Sequence, residues 1–196
     1  MPRPAPHPLA LFSLKPLNPR AEAVLAHPDN KRLVSQLKSG ELALDIGHTR
    51  STSGDNTTIA TLGRCGDIVV EGPSIAKIQC SFEIDLDTNV VMFYDRSHSQ
   101  TSQVLGQNAT PFEYGRPRKI VVQEEVNTII GLGGVGRNLV QFELEWHYDA
   151  PEAMEIVRNR ASTALGYEEN PRLAQTVDRT DTVLRDPIQR PPSKQS

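Results

Sequence analysis

Two stretches of strict two-residue periodicity constrain this chain more than any other feature. Residues 138–147 read NLVQFELEWH, which sets Val140, Phe142, Leu144 and Trp146 on one face and Gln141, Glu143, Glu145 and His147 on the other. Residues 77–85 read KIQCSFEID, dividing Ile78, Cys80, Phe82 and Ile84 from Gln79, Ser81, Glu83 and Asp85. Successive side chains of a strand point to opposite faces, so each stretch predicts a half-buried antiparallel strand. Shorter β-like runs at 41–46, 58–62, 67–70, 90–94, 119–122 and 128–130 supply partners, and the segments between them carry Gly, Pro, Asn and Asp. Many short strands with frequent turn signals predict an all-β fold, an antiparallel β-sandwich of about 10–11 strands.

Short helices are expected at its periphery. Asn18-Pro19 caps and starts one that runs to Ala26, and Asp29 or Asn30 caps a second that reaches Ser39, with Gly40 as its stop. Asp149 and Pro151 begin a third, through Met154, Val157 and Ala161 to Leu165, ended by Gly166. The organisation read from these signals is a flexible N-terminal segment over 1–8, a sandwich over 9–148 with a helical insertion near 18–39, a C-terminal helix over 149–166 and a tail over 167–196. The tail is polar and proline-spotted, with too few large apolar residues to offset its ordering entropy, and is expected to be disordered.

A formal net charge of −3 leaves no global basic field to recruit nucleic acid or an anionic membrane. No apolar run approaches the roughly 18 residues that span a bilayer, and the proline-rich start lacks a signal core, so an intracellular location, cytoplasm or nucleus, is expected. Cys65 and Cys80 have no metal-ligand spacing and read as reduced, buried thiols; the five histidines are scattered, so neither metal nor cofactor is expected. Gly131-Leu132-Gly133-Gly134-Val135-Gly136 resembles a nucleotide loop, but a strand pattern follows it where a helix is required, which makes it a wide hairpin turn. Cys65 beside Arg64 is a conceivable nucleophile, yet no oxyanion loop or nucleophile elbow accompanies it, and no enzyme is expected. Arg116-Pro117-Arg118-Lys119 is the one basic cluster, read as a loop-to-strand junction or, alternatively, a patch for an acidic partner.

Three groups of residues then occur in order. Gly63-Arg64 ends the run 58–62, Ile75-Ala76-Lys77-Ile78-Gln79 opens the strand pattern 77–85, and Asp95, Ser97 and Thr101 follow the run 90–94. With this order and spacing, over about residues 42–146, the chain resembles the forkhead-associated (FHA) family, and its arrangement looks most like small fungal members. That resemblance implies a β-sandwich that binds phosphothreonine peptides through the loops at one end, a protein–protein interaction module without catalysis. The residues it points to for the phosphopeptide are Arg64, Ser74, Lys77, Ser97, His98, Ser99 and Gln100, with Gly63, Gln79, Asp95 and Thr101 supporting the loops.

The departures from the family pattern bear on the ligand. Ala76 stands where the family has a phosphate-binding serine, Lys77 where it has arginine and Gln79 where it has histidine; the loop asparagine and glycine are replaced near Ser99 and Gln100. Each lost hydrogen bond to a charged group costs about 1.5–3 kcal/mol, a ten- to hundredfold loss of affinity. The phosphate site therefore reads as partly degenerate. The alternative is a phosphate-independent scaffold or self-association module on the same fold. Arg64 has its own alternative, an ion pair with Asp67 or Glu71; Lys77 and His98 can be merely solvated, and Asp95 and Ser97 merely loop-stabilising. Thr176, Thr180 and Thr182 in the tail, once phosphorylated, are expected as possible ligands in cis or between molecules.

Overall fold

The two periodic stretches become β6 (Cys80–Ile84) and β11 (Val140–Trp146), each interior to one of the two sheets of a computed structural model that describes residues 1–113, 115–147 and 151–163. The first sheet has six strands, in the order β2 (Val34–Gln36), β3 (Leu42–Ile46), β1 (Phe12–Pro16), β11, β10 (Ile129–Leu132) and β8 (Gln103–Leu105). The second has five, in the order β5 (Ile68–Val69), β4 (Thr58–Gly63), β6, β7 (Val91–Asp95) and β9 (Arg118–Val122). Their apolar faces share one core, a β-sandwich arrangement. Phe12 of β1 meets Phe82 of β6 edge-on at 5.0 Å between ring centroids, and Phe82 meets Phe93 of β7 at 5.3 Å. Such contacts between aromatic rings add specificity to the area they bury.

Among the named strands, pairing is antiparallel except between β4 and β5, which run parallel with Leu62 opposite Ile68. The chain leaves Gly63, turns through residues 64–67 and re-enters in the same direction, with the Asp67 carboxylate accepting from the amide and hydroxyl of Thr61.

The expected insertion is only partly helical. α1 (Pro19–Ala26) forms with Asn18 as its cap, whose side chain accepts from the Ala21 amide at 3.0 Å. The second helix stops early. Residues Pro28–Leu33 make a 3₁₀ turn, and Val34–Gln36 continue as β2, paired with β3 at Val34–Leu44. Asn30 explains the stop: its buried amide donates to the carbonyls of Val24 and Val69, both at 2.8 Å, and accepts from the Val69 amide at 2.9 Å. It thereby occupies the open edge of β5 as a strand would, and the chain beyond it gains more by pairing with β3 than by one further helical turn.

Residues 1–8, read as flexible from their prolines, lie along the edge of the first sheet. Arg3 exchanges backbone hydrogen bonds with the β2 strand, to the Val34 carbonyl at 3.0 Å and from the Gln36 amide at 2.9 Å. Its guanidinium reaches the Arg32 carbonyl at 2.6 Å and Asp45 at 3.4 Å, and the His7 ring stacks on His48 at 4.4 Å. A helix α2 over residues 151–163 buries Ala153, Val157 and Ala161 on one stripe, and Arg160 donates to the Gly47 carbonyl at 3.1 Å. Asp149, Leu165, Gly166 and the tail threonines lie outside the described residues. Among the described residues, no helix is long and apolar enough to cross a membrane.

His48 makes this N-terminal docking sensitive to acid. Burial, then the charges of His7 and Arg3, pull its pKa from 6.5 down to about 4, and its Nδ1 is buried without a hydrogen-bond partner. The unfolded chain takes up a proton near pH 6.5 while the folded chain resists until about pH 4, so stability falls as pH drops through that window. Urea midpoints measured from pH 7 to pH 4 are expected to decline, and to decline less in His48→Gln. An unchanged slope in that variant would remove His48 from the account.

Candidate functional site

Gly63 sets the geometry of the loop end. A Cβ there would stand 2.3 Å from the Lys77 carbonyl oxygen and 2.8 Å from the Gln79 nitrogen, so only glycine lets the end of β4 lie against the segment entering β6. The two segments are laced together: Arg64 donates from its amide to Ala76 at 3.1 Å, Cys65 to Lys77 at 2.9 Å, and Gln79 to Leu62 at 2.8 Å. Arg64 and Lys77, both exposed, thus emerge on neighbouring turns of the same end of the sandwich.

The Arg64 guanidinium is oriented by its Nε, which donates to the Ile75 carbonyl at 2.9 Å. It makes no ion pair among the described residues, and both carboxylates that sequence proximity offered are engaged elsewhere. Asp67 accepts from the Thr52 amide at 2.8 Å, the Thr61 amide at 2.9 Å and the Ser51 hydroxyl. Burial pushes the Asp67 carboxyl up, but those donors outweigh it and its pKa is lowered. Glu71 instead faces His27, 3.7 Å from its Nε2.

Gln79, at the start of β6, is fully buried and uses both ends of its amide. Its Oε1 accepts from the Ala76 amide at 2.9 Å, and its Nε2 donates to the hydroxyls of Thr101 and Ser102, each at 3.0 Å. It therefore ties the Arg64–Lys77 loops to the β7–β8 loop, a link that needs one donor end and one acceptor end, which an amide has.

The β7–β8 loop is built on Asp95 and Ser97, both nearly buried. Asp95 accepts from the Ser97 amide at 3.1 Å and its hydroxyl at 2.7 Å, and its other oxygen pairs with Arg118. The Ser97 hydroxyl in turn accepts from the Thr101 amide at 2.9 Å. Ser97 thus holds the loop, and its hydroxyl is already committed. Gln100 takes a left-handed φ of +53° at the turn, with its carbonyl accepting from Arg118 at 3.1 Å. His98, Ser99 and Gln100 are left exposed at the tip, as is Ser74 on the neighbouring loop. Among the described residues no hydrogen bond joins the side chains of Arg64 or Lys77 to that tip; Gln79 is the connection.

The glycine-rich stretch begins inside β10, at Gly131 and Leu132, and only from Gly133 onward is it the connection between β10 and β11, closed by a 3₁₀ turn over Gly136–Asn138. It packs beside the same loops, with Gln103 Nε2 donating to the Gly134 carbonyl at 2.7 Å. Cys65 departs from expectation: it is exposed, because it follows Gly63-Arg64 out of the sheet, whereas Cys80 is buried and burial pushes its thiol well up. No cluster of three metal-ligating side chains occurs among the described residues.

The sequence offers no signal for Arg96, and Arg118 stands in it only within the basic cluster 116–119, a junction or a patch for an acidic partner. Arg96 pairs with Glu83, donates to Ser81 at 3.1 Å and lies over the Tyr94 ring at 4.5 Å; Arg118 lies over Phe112 at 4.4 Å. The rings lie close in sequence, but the carboxylates that fix each guanidinium stand on neighbouring strands, Glu83 on β6 and Asp95 on β7. No family model matches the chain, nor does any curated protein or solved structure.

Proposed function

We propose that the chain is an FHA-like module that binds phosphothreonine peptides through a reduced phosphate site centred on Arg64. The observation that carries this reading is an exposed, backbone-oriented guanidinium without a counter-carboxylate among the described residues, laced beside the exposed Lys77. A phosphothreonine brings nearly two negative charges and three acceptor oxygens, which an arginine fork matches with paired donors and a lysine supplements as a point charge. The two-sheet sandwich, with the three marker groups at its loop end, supports the same reading. So does Gln79, whose amide does the bracing for which the family uses histidine.

The test is a degenerate phosphothreonine peptide library presented to the full chain. Selected peptides are expected to lose ten- to hundredfold in affinity in Arg64→Ala, and to weaken as salt rises. If Arg64→Ala changes binding no more than Glu41→Ala, a substitution on an exposed residue elsewhere, the reading is wrong.

One observation favours a second reading. Ala76 has no hydroxyl to offer and its amide is consumed by Gln79, so a donor pair the family uses is missing. A scaffold that binds its partner without phosphate fits that loss. Phosphatase treatment of the captured partner separates the two: binding that survives it supports the scaffold.

A further inference from the structure

Beside the β7–β8 loop lies an open cleft of about 460 Å³, lined by Asp95, Arg96, His98 and Gln100 and, from the β9 side, by Arg116 and Arg118. Its charges are arranged in depth. Glu83 and Asp95, the partners of Arg96 and Arg118, have side chains only 9% and 0% exposed, whereas the two arginine side chains are 34% and 24% exposed. Both carboxylates, Asp95 of the lining included, are thus more deeply buried than the arginine side chains paired with them, and the accessible groups of the cleft are mainly cationic. Arg116 is exposed and has no counter-charge among the described residues; Glu113, the nearest acidic residue in sequence, faces Lys119 at 3.8 Å. Stacking on Tyr94 and Phe112, together with those ion pairs, restrains Arg96 and Arg118, so little side-chain entropy remains to be lost on binding an oxyanion.

We propose that this cleft is a second anion site, which takes a phosphorylated or carboxylate side chain on the same peptide whose phosphothreonine is held by Arg64. The inference rests on the phosphothreonine reading above. Continuity supports one peptide for both sites: the loop 97–101 that walls the cleft is tied through Thr101 and Gln79 to the Ala76 amide, and Arg64 donates to the carbonyl of that same residue. Nucleic acid fits less well, because Arg96 and Arg118 already lie over Tyr94 and Phe112 and compete with a base for those rings. A phosphate monoester is preferred over a carboxylate, having more acceptor oxygens for the guanidinium donors.

The experiment uses the full chain, isotope-labelled, titrated first with inorganic phosphate. Two groups of amide shifts are expected to saturate, one at Arg64, Cys65 and Lys77 and the other at His98, Gln100 and Arg118. Arg116→Gln removes the second group alone, and Arg64→Ala the first alone. The phosphothreonine library is then expected to select a second phosphorylated or acidic residue at a fixed offset, worth roughly tenfold in affinity, and to lose that preference in Arg116→Gln. Absence of the second group of shifts overturns the inference whatever happens at Arg64. Cleft shifts without selection reduce it to a site for free phosphate and overturn the peptide assignment. Absence of the first group refutes the Arg64 reading, and the single spanning peptide falls with it. An oligodeoxythymidine that occupies the cleft as tightly as the selected peptide also overturns the assignment.

Discussion

Gly63→Ala is expected to lower the unfolding free energy by about 3–5 kcal/mol and to abolish phosphopeptide capture. The added methyl would meet the Lys77 carbonyl oxygen at 2.3 Å, the Gln79 nitrogen at 2.8 Å and the Ile78 Cα at 2.9 Å. These are backbone atoms, which cannot rotate away as a side chain can. Relief requires segments 62–65 and 76–79 to part, and the hydrogen bonds from Arg64 to Ala76, Cys65 to Lys77 and Gln79 to Leu62 go with them. Each is worth about 0.5–1.5 kcal/mol, more if a buried group is left unpaired. The same movement withdraws Ile75 from Arg64, so stability and ligand binding fail together. Gly134→Ala is the control: its Cβ would meet nothing within 4 Å, and its φ of +99° costs about 1 kcal/mol of strain. Urea unfolding of both variants decides the matter, since a Gly63→Ala loss no larger than that of Gly134→Ala contradicts the packing argument.

Asp45→Ala carries the second large effect, a loss of about 3–5 kcal/mol. The carboxylate is buried on the outer face of the first sheet and joins three strands and the N-terminal segment. It accepts from Ser13 of β1 at 2.8 Å, Ser35 of β2 at 2.6 Å and the His7 amide at 2.8 Å, and it pairs with Arg3 at 3.4 Å. Alanine leaves these donors facing an empty site under residues 1–8. Ser13 retains one contact, with His147 at 2.8 Å, and the half-exposed Arg3 can regain water, which keeps the expected loss below the sum of the contacts. Hydrogen exchange should quicken at the Gln36 amide, whose acceptor is the Arg3 carbonyl. The exposed Glu41, 3.8 Å from Lys15, is the comparison, and its removal is expected to stay within about 0.5 kcal/mol. An Asp45→Ala protein as stable as Glu41→Ala would show that the outer face is not held by this carboxylate.

Both residues mark the boundary of what could be read from the sequence. The alternation at 77–85 and 138–147 identified β6 and β11 and the side of each that faces the core, because alternation is a property of the strand itself. Gly63-Arg64 and the Asp95–Thr101 group were visible as residue types in order, and the structure sets both at one end of the sandwich. β2 and β8 left no comparable trace. Each is three residues long, too short for alternation to show, and is held by pairing, β2 with the adjacent β3 and β8 with the more distant β10.

The polar faces divide the two kinds of knowledge most clearly. From Gln79, Ser81 and Glu83 alone, the outer side of β6 should be wet, yet all three are buried. Gln79 is enclosed by the loops it joins, and Arg96 covers Ser81 and Glu83. The outer face of the first sheet is closed in the same way by residues 1–8 over Ser13, Ser35 and Asp45. Sequence by itself determined which residues alternate and that Gly63, Arg64 and Lys77 fall between strand patterns. Only the tertiary structure decided which polar groups are sealed and satisfied, and that Arg64 and Arg116 pair with no carboxylate among the described residues. The physical reason is that a group's partners and its access to water depend on what packs over it, and those segments lie tens of residues away along the chain.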